Sequence, residues 1–525
     1  MRRLADAAIV MALAVGTFVF LEARVAVAAP VAEDAAILFR YALNLAAGDG
    51  LRWNPDGPTV SGASDLLFVG VVALVAQGPF SIEWAARAVG AAAHVATVIA
   101  VYLALARLFK QPRGLAVAAA LFVLFSPAWT YVAAGFGTTL FALVAVAAWC
   151  AMVRSLRSPH PRDAQIFGAS LILLLITRPD GTVLASAMWL GYAIARGVDR
   201  VAVVSAVTFA AGAATLALGR WTYFGDILPP TVVKWTWPDS VASAIALQRG
   251  AFAMWPALLT VPLVLWSRRR EAWAFAIPAI AFTAFWAFIY DDQNFNSRYQ
   301  YALTPIALLA WPLWTDAVRT RVVDLRRFKP FAYAAAVVAV VIGASLAVWH
   351  QARRVYQVPV EDGRYAVARE LSAFSGRGLR MAVTDAGILS FASGWSSTID
   401  LVGLNDAAIA RDGVRAEYLA AHAPAVIEFT TQCESSTDRA FELGWHGMTR
   451  RIRQFVTDHN YIHAAAYGRD ALWVQHYYVR PSLRDSQALV SALRDVPFAL
   501  PGTGERARNL VIDNAVQWGP CPPLP

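Results

Sequence analysis

"VAEDAAILFRYALNLAAGDGLRWNPDG", Val31 to Gly57, follows the first apolar run of the chain and sets two adjacent carboxylates, Glu33 and Asp34, at its edge. Ile37, Leu38, Tyr41 and Leu45 share one helical face, with Arg40 and Asn44 on the other. That spacing predicts a short amphipathic helix lying in the membrane interface. Arg52 and Trp53 follow in the same loop. "SDLLFVGVVALVAQG" from Ser64 is too short for a crossing and reads as a second juxtamembrane or re-entrant helix. Two such helices make a floor for a site at headgroup level. The plainer alternative is that Glu33 and Asp34 only solvate a helix end.

The chain around this loop has 525 residues, 58% of them hydrophobic and 15% charged, with mean hydropathy +0.48. Soluble domains carry about a quarter charged residues, so the composition is that of a polytopic membrane protein. The net charge of +9 does not point to nucleic acid. Its basic residues lie in short clusters between apolar runs, the positive-inside pattern. Apolar runs predict spans at Ala7–Leu21, Trp84–Ala106, Gly114–Val132, Gly135–Val153 and Gln165–Ile176. Further runs follow at Thr182–Ala195, Val201–Leu218, Ala251–Trp266, Ala272–Tyr290, Tyr301–Thr315 and Phe331–Trp349. Gln165–Ala195, interrupted by "TRPDG", reads either as two spans or as one kinked span.

Clusters such as Arg107, Lys110 and Arg113, or Arg268 to Arg270, fall on alternate loops. About eleven spans with the N-terminus inside and the C-terminus outside satisfy that bias. The outer loops then hold Glu33, Asp34, Asp56, Asp65, Asp226, Asp239, Asp291 and Asp292. The first thirty residues also offer a signal-peptide reading, with an A-x-A site at Ala26 to Ala28. Glu22 and Arg24 interrupt the region before that site and favour a retained helix.

Residues 1–349 therefore form the membrane domain, and residues 350–525 an α/β domain outside the membrane. In the latter "GRYAVARELSAF" has helical periodicity, "LRMAVTD" and "PAVIEFT" read as short strands, and "ALWVQHYYV" as a longer one. Cys433 and Cys521 lie there, to be paired or free, while Cys150 packs in a span. No CxxC pair is present.

Three more outer segments carry chemistry. "TRPDG" puts Arg178 and Asp180 at a helix break, and polar groups at that depth are costly unless they line a cavity. "RWTYFGDILPPTVVKWTWPD" combines Lys234 with Trp221, Tyr223, Trp235 and Trp237, aromatics that also suit an interfacial belt. "DDQNFNSRYQY" adds Asp291, Asp292, Arg298 and Tyr299. Isolated cations at headgroup level suit a lipid-linked phosphate, and a nearby carboxylate can take a proton from an attacking hydroxyl. The acidic pair is alternatively a seat for a divalent cation. These parts point to glycosyl transfer from a lipid phosphate.

"EDAAILFRYALNLAAGDGLRWNPDG" resembles the first outer loop of the GT-C polytopic glycosyltransferases, and most nearly the mycobacterial terminal arabinofuranosyltransferase type. There an acidic pair precedes an "FRYAxNLxxGxGLxWNP" run. "TRPDG", "YFGDILPPTVVK", "NSRYQYALTPI" and "DAGILSFASGWSSTIDLVGLND" resemble stretches of those proteins in the same order. The resemblance implies a bacterial plasma-membrane enzyme that moves a sugar from a polyprenyl-phosphate donor to an envelope glycan or lipid on the outer face. It implies catalytic roles for Asp34 and Glu33. Arg178, Lys234 and Arg298 are then the residues to hold the donor phosphate. Arg40, Asn44, Asp180, Asp291, Asp292 and Tyr299 are the candidate substrate contacts.

Three departures bear on the sugar and the acceptor. Glu33 stands where the family more often has Asp, Pro230 stands where Asn is expected, and "DDQNFNSRY" lacks the glycines that commonly precede the Arg. A non-catalytic envelope assembly or lipid-transport protein on the same fold is the alternative function. A solute transporter is a third, but no charged path runs through the span centres. His459 and His463 in "DHNYIH" have metal-ligand spacing on a helix but no third ligand at clear spacing. His94 reads as a hydrogen-bonded core residue.

Overall fold

A computed structural model describes residues 2–230, 271–288, 294–310, 358–431, 445–470, 473–499 and 504–513, with residues 261, 312 and 516. Lys234, Asp291, Asp292, Cys433 and Cys521 lie outside the described residues, as do the expected span Phe331–Trp349 and most of Ala251–Trp266. Five described helices are long and apolar enough to cross a membrane: Arg3–Arg24, Ile82–Leu108, Arg113–Ala134, Thr138–Arg157 and Arg200–Phe224.

In chain order the helices are α1 (Arg2–Arg24), α2 (Glu33–Ala47), α3 (Leu66–Val75) and α4 (Ile82–Leu103). Next come α5 (Arg113–Leu124), α6 (Ala128–Ala134), α7 (Thr138–Arg157) and α8 (Pro161–Thr177). Then follow α9 (Gly181–Arg196), α10 (Arg200–Phe224) and α11 (Glu271–Phe288). The apolar run read as one span from Gly114 is broken between α5 and α6, where Pro127 precedes the second helix. Buried Ser126 in that break shares a 2.8 Å hydrogen bond with the Tyr301 hydroxyl.

"TRPDG" makes two helices rather than one kinked helix. Arg178 is extended (φ −153°, ψ 151°), the conformation that a following proline imposes, and Asp180 begins α9. Gly181 closes the corner, because a Cβ there would run into the carbonyl oxygen of Leu174.

The α/β domain has one five-stranded sheet, with β1 (Arg380–Val383), β2 (Ser397–Asp400), β3 (Val426–Thr431), β4 (Ile462–Asp470) and β5 (Trp473–Val479). Its order is β2-β1-β3-β5-β4. β1 lies parallel to β2 and β3, whereas β5 is antiparallel to both β3 and β4. The stretches read as strands from the sequence are β1, β3 and β5. "DHNYIH" is not one helix: His459 closes the helix Gly447–Asp458, while His463 belongs to β4 and stacks on Tyr478. The tight turn at Asn460 (φ 53°) separates them.

One apolar core runs from the membrane helices into this domain, through residues such as Phe39, Phe68, Leu389 and Tyr477. α2 packs against α3, α4 and the short helix Ile388–Ala392, and the Phe39 and Phe391 rings meet edge to face at 5.7 Å. Two acids in its first turn favour the α2 N-terminus. Gly48, at φ 94°, ends the helix by donating its N–H to the carbonyls of Asn44 and Leu45. The expected polar face of α2 is absent. Residues 35–42 are all buried, Arg40 included, because the α/β domain covers the side that the sequence pattern assigns to water.

Candidate active site

Glu33 and Asp34 sit about 100° apart around α2 and so face different neighbours. Asp34 points to the membrane loops. Its Oδ2 lies 2.8 Å from Nη2 of Arg298, and a third of its side chain stays open to solvent. Glu33 points to the α/β domain. Its carboxylate accepts from the N–H groups of Gly387 and Ile388, the latter at 3.0 Å. Arg364 stands 3.8 Å away. Burial pushes the Glu33 carboxyl above the usual glutamate range against the pull of Arg364. The backbone comes so close here that a Cβ on Gly387 would strike the Glu33 carbonyl.

Arg298 is 5% exposed and held by aromatics. Its guanidinium lies 3.8 Å from the Phe136 ring centre and 4.8 Å from that of Tyr299, and Nη2 donates to the Tyr299 hydroxyl at 2.7 Å. Tyr299 stacks on Trp286, with ring centres 4.4 Å apart and planes 5° apart. Asn296 and Ser297, the two residues before the Arg, have φ of 47° and 62°. That is backbone glycine adopts readily, and glycines are what the resemblance expects just before the Arg. This chain takes the conformation with side chains that rarely occupy it, and such local strain gathers where a residue must be aimed.

Arg178 also lies over Tyr299, its guanidinium 4.7 Å from the ring centre. It pairs with Asp180 through bonds of 2.9 and 3.3 Å, both residues being buried. A buried ion pair survives only with good geometry on both sides, and the fork of Arg178 supplies it.

Asp65, which sequence reasoning left among the ordinary loop acids, belongs to this cluster. It begins α3 at 5% exposure, and its side chain does not cap the helix. Its Oδ2 would lie 2.8 Å from a Cβ placed on Gly137. Burial pushes its carboxyl up to about 6; Arg178 and Arg298 pull it down and Asp180 adds to the rise. Nothing in the sequence distinguishes Asp65 from Asp56, since only the fold buries it within the field of the two guanidiniums.

Two of the expected substrate contacts are used elsewhere. Arg40 donates from Nε to the Trp53 carbonyl at 2.7 Å, from Nη1 to Ser390 O, and from Nη2 to Asn54 Oδ1 and Ser396 O. It thus ties the first loop to the α/β domain. Asn44 donates to the carbonyls of Arg52 and Trp53. Both are occupied because loop 48–57 folds back on α2 instead of opening to the interface. The structure therefore brings Asp34, Arg298, Tyr299, Arg178 and Asp180 together and leaves Arg40 and Asn44 outside. His94 bonds the Leu124 carbonyl as a core residue.

The acidic pair does not fit a divalent cation. Glu33 is spent on two backbone N–H groups and Asp34 on Arg298, so their oxygens do not converge. Among the described residues no three carboxylate, histidine or cysteine side chains share a common point.

A family model described as a domain of unknown function, DUF8728, matches residues 350–480. No curated protein sequence matches the chain. Solved structures do. The Archaeoglobus fulgidus oligosaccharyltransferase in the apo form superposes with a TM-score of 0.54 at 12% identity, over 88% of this chain and 73% of that one. ArnT from Cupriavidus metallidurans, bound to undecaprenyl phosphate, gives 0.54 at 14% identity, over 90% and 97%. AglB from Archaeoglobus fulgidus, in complex with an inhibitory peptide and a dolichol-phosphate, gives 0.51 at 11% identity, over 92% and 75%. At such identities the likeness is one of fold. The chain shares the polytopic helical fold of these solved structures.

Proposed function

We propose that the chain is a membrane glycosyltransferase that takes a sugar from a polyprenyl-phosphate donor and passes it to an envelope glycan or lipid. The observation that carries this reading is the Asp34 carboxylate, one third open and set against Arg298, whose neighbour Tyr299 also carries the guanidinium of Arg178. Two of the structurally similar proteins were solved with a lipid phosphate bound. With no donor present, Asp34 is the anion on Arg298. An arriving phosphate takes over that cation, since a charge-assisted bond to phosphate is at least as strong as one to carboxylate. Asp34 is then free to accept the proton of the acceptor hydroxyl as that oxygen attacks the sugar carbon. The bond from that carbon to the phosphate oxygen breaks, and polyprenyl phosphate leaves. Arg178, fixed by Asp180, holds Tyr299 and with it Arg298, and its charge favours the departing phosphate. Lys234 is assigned to the donor phosphate as well, and Asp291 and Asp292 to the sugar or acceptor.

The finer reading follows the sequence. It is an arabinofuranosyltransferase-like enzyme of the bacterial plasma membrane, with about eleven spans, the N-terminus inside and the C-terminus outside. Residues 1–349 carry the transfer site. Residues 350–525 cover it from the outer face and bind the acceptor, in contact with α2 through Glu33 and Arg40.

Asp34→Asn in reconstituted membranes tests the assignment. Loss of one positioned base lowers transfer by about 100-fold or more, and full transfer by a properly inserted variant rejects it. Glycan analysis of a deletion strain identifies the sugar and the acceptor. A truncation ending after Arg354 that still serves a long acceptor at full rate removes the acceptor role from the outer domain.

A further inference from the structure

Asn54 opens the turn "NPDG", which closes with the Gly57 N–H on the Asn54 carbonyl at 3.0 Å. Pro55 presets the backbone of that turn, and Arg52 braces it by donating to the carbonyls of Pro55 and Gly57. The Asn54 side chain meets β2, the strand at one edge of the sheet. There its amide bonds the backbone of Thr398 twice. Nδ2 donates to the Thr398 carbonyl at 2.9 Å, and Oδ1 accepts from the Thr398 N–H at 3.0 Å. One side-chain amide thus stands where the peptide group of a further strand would pair. Trp53 Nε1 donates to the same carbonyl at 3.0 Å, and Arg40 Nη2 donates to Asn54 Oδ1 at 2.9 Å. Thr398 takes part through its backbone alone. Its own hydroxyl is buried and has no partner among the described residues.

The place of this contact decides what it does. The α/β domain holds α2 at Glu33, through Gly387 and Ile388, and at Arg40, through Ser390 and Ser396. Glu33 and Arg40 are two turns apart on one face of the helix, about 10 Å along its axis. Two supports along one helix leave rotation of the domain about that helix weakly opposed. Asn54 comes from a different segment and grips a different element, β2, and so opposes that rotation. Gly62, farther along the same loop, backs it by lying against Asn405, whose Oδ1 a Cβ at Gly62 would strike. Rotation about α2 carries the surface of the domain past Asp34, and a glycan held on that surface moves with it. A misplacement of about 1 Å at the reacting atoms costs about a hundredfold in rate.

We infer that Asn54 is a positioning residue for the transfer: its amide fixes the angle of the α/β domain on α2 and so aims the acceptor glycan at Asp34. The inference rests on the glycosyl-transfer reading above and on acceptor binding by the α/β domain. Asn54 touches neither substrate and acts through Thr398 on one side and Arg40 on the other. A domain loosened at this point still binds the glycan, but presents its hydroxyl to Asp34 in fewer of the bound complexes. The signature is a lower kcat at constant KM, confined to acceptors long enough for the domain to hold.

Transfer by the full chain in nanodiscs tests this. The donor probe is the radiolabelled prenyl-phosphate-sugar fraction extracted from membranes of the native host. The acceptor probes are envelope polysaccharide from a deletion strain and octyl glycosides of its monosaccharides. Asn54→Asp keeps the acceptor for the Thr398 N–H but sets an oxygen against the Thr398 carbonyl where the NH2 stood. Asn54→Ala removes both bonds without adding charge, and monodispersity in detergent checks that both variants fold. Each should lower kcat for the polysaccharide by about tenfold to a hundredfold with KM within about twofold. Transfer to the octyl glycosides should fall by no more than about threefold. Thr398→Val should match the wild type on both acceptors, because the hydroxyl it loses has no partner among the described residues. Equal losses on both acceptors, a raised polysaccharide KM at constant kcat, or full transfer by both Asn54 variants would each overturn the inference, while the donor reading survives. If the wild type moves no label to either acceptor, the donor reading falls and takes the inference with it.

Discussion

Glu33→Gln separates the work of the two neighbouring acids. The Glu33 carboxylate accepts from two backbone N–H groups, those of Gly387 and Ile388, across a gap of 354 and 355 residues. Glutamine keeps one acceptor oxygen and turns an NH2 group toward the other N–H, so one buried donor loses its partner. The backbone cannot slide to compensate, since Gly387 already lies against the Glu33 carbonyl. An unpaired buried donor costs about 1–3 kcal/mol. At about 1.4 kcal/mol per factor of ten, hydrogen exchange at Gly387 and Ile388 should quicken by about fivefold to a hundredfold. Exchange mass spectrometry of the full chain in nanodiscs reads both amides. Asp34→Asn, one residue away, should leave them unchanged, because its side chain bonds Arg298 on the membrane side. Unchanged exchange in Glu33→Gln, or an equal rise in Asp34→Asn, would show that the two acids are not divided between the two domains as described.

Arg40→Lys should destabilise the chain by about 2–4 kcal/mol, because an ammonium cannot span the four acceptors the guanidinium reaches. A lower Tm with unchanged substrate KM is the expected outcome, and the reverse pattern would restore Arg40 as a substrate contact. Gly137→Ala should lower Tm or donor affinity, since its methyl would stand 2.8 Å from Asp65 Oδ2 and 2.9 Å from Phe68 Cγ; a crystal-clear absence of either effect would contradict the close approach. Burial holds the carboxyls of Glu33 and Glu428 above their unfolded values, that of Glu428 to about 8 with Asp385 adding to the rise. A raised acid favours folding fully below its unfolded value and loses that contribution as pH climbs through the folded one. Tm should therefore fall from about pH 5 to pH 9, and Glu428→Gln should flatten the fall; a Tm that rises over this range would reverse the sign.

The sequence by itself determines what depends on near neighbours. Hydropathy over about 20 residues marks the spans, and five of the runs read this way are the five long apolar helices of the described chain. Short apolar runs find β1, β3 and β5, and Pro179 marks a break in the apolar run because it restricts the residue before it, although the sequence leaves two helices and one kinked helix both open. Asp34, Arg178, Asp180, Arg298 and Tyr299 stand out as polar groups at span edges, where each is expensive unless it is used. Only the tertiary structure decides what those groups do. Arg298 reaches Asp34 across 264 residues, and the α/β domain closes over Arg40, turning an expected substrate contact into a joint. Asp65 looks like any loop acid until the fold buries it against Gly137, within the field of two guanidiniums. The strength of a charge on a carboxylate is set by distance and by the water removed between them, and neither quantity exists along the chain until it folds.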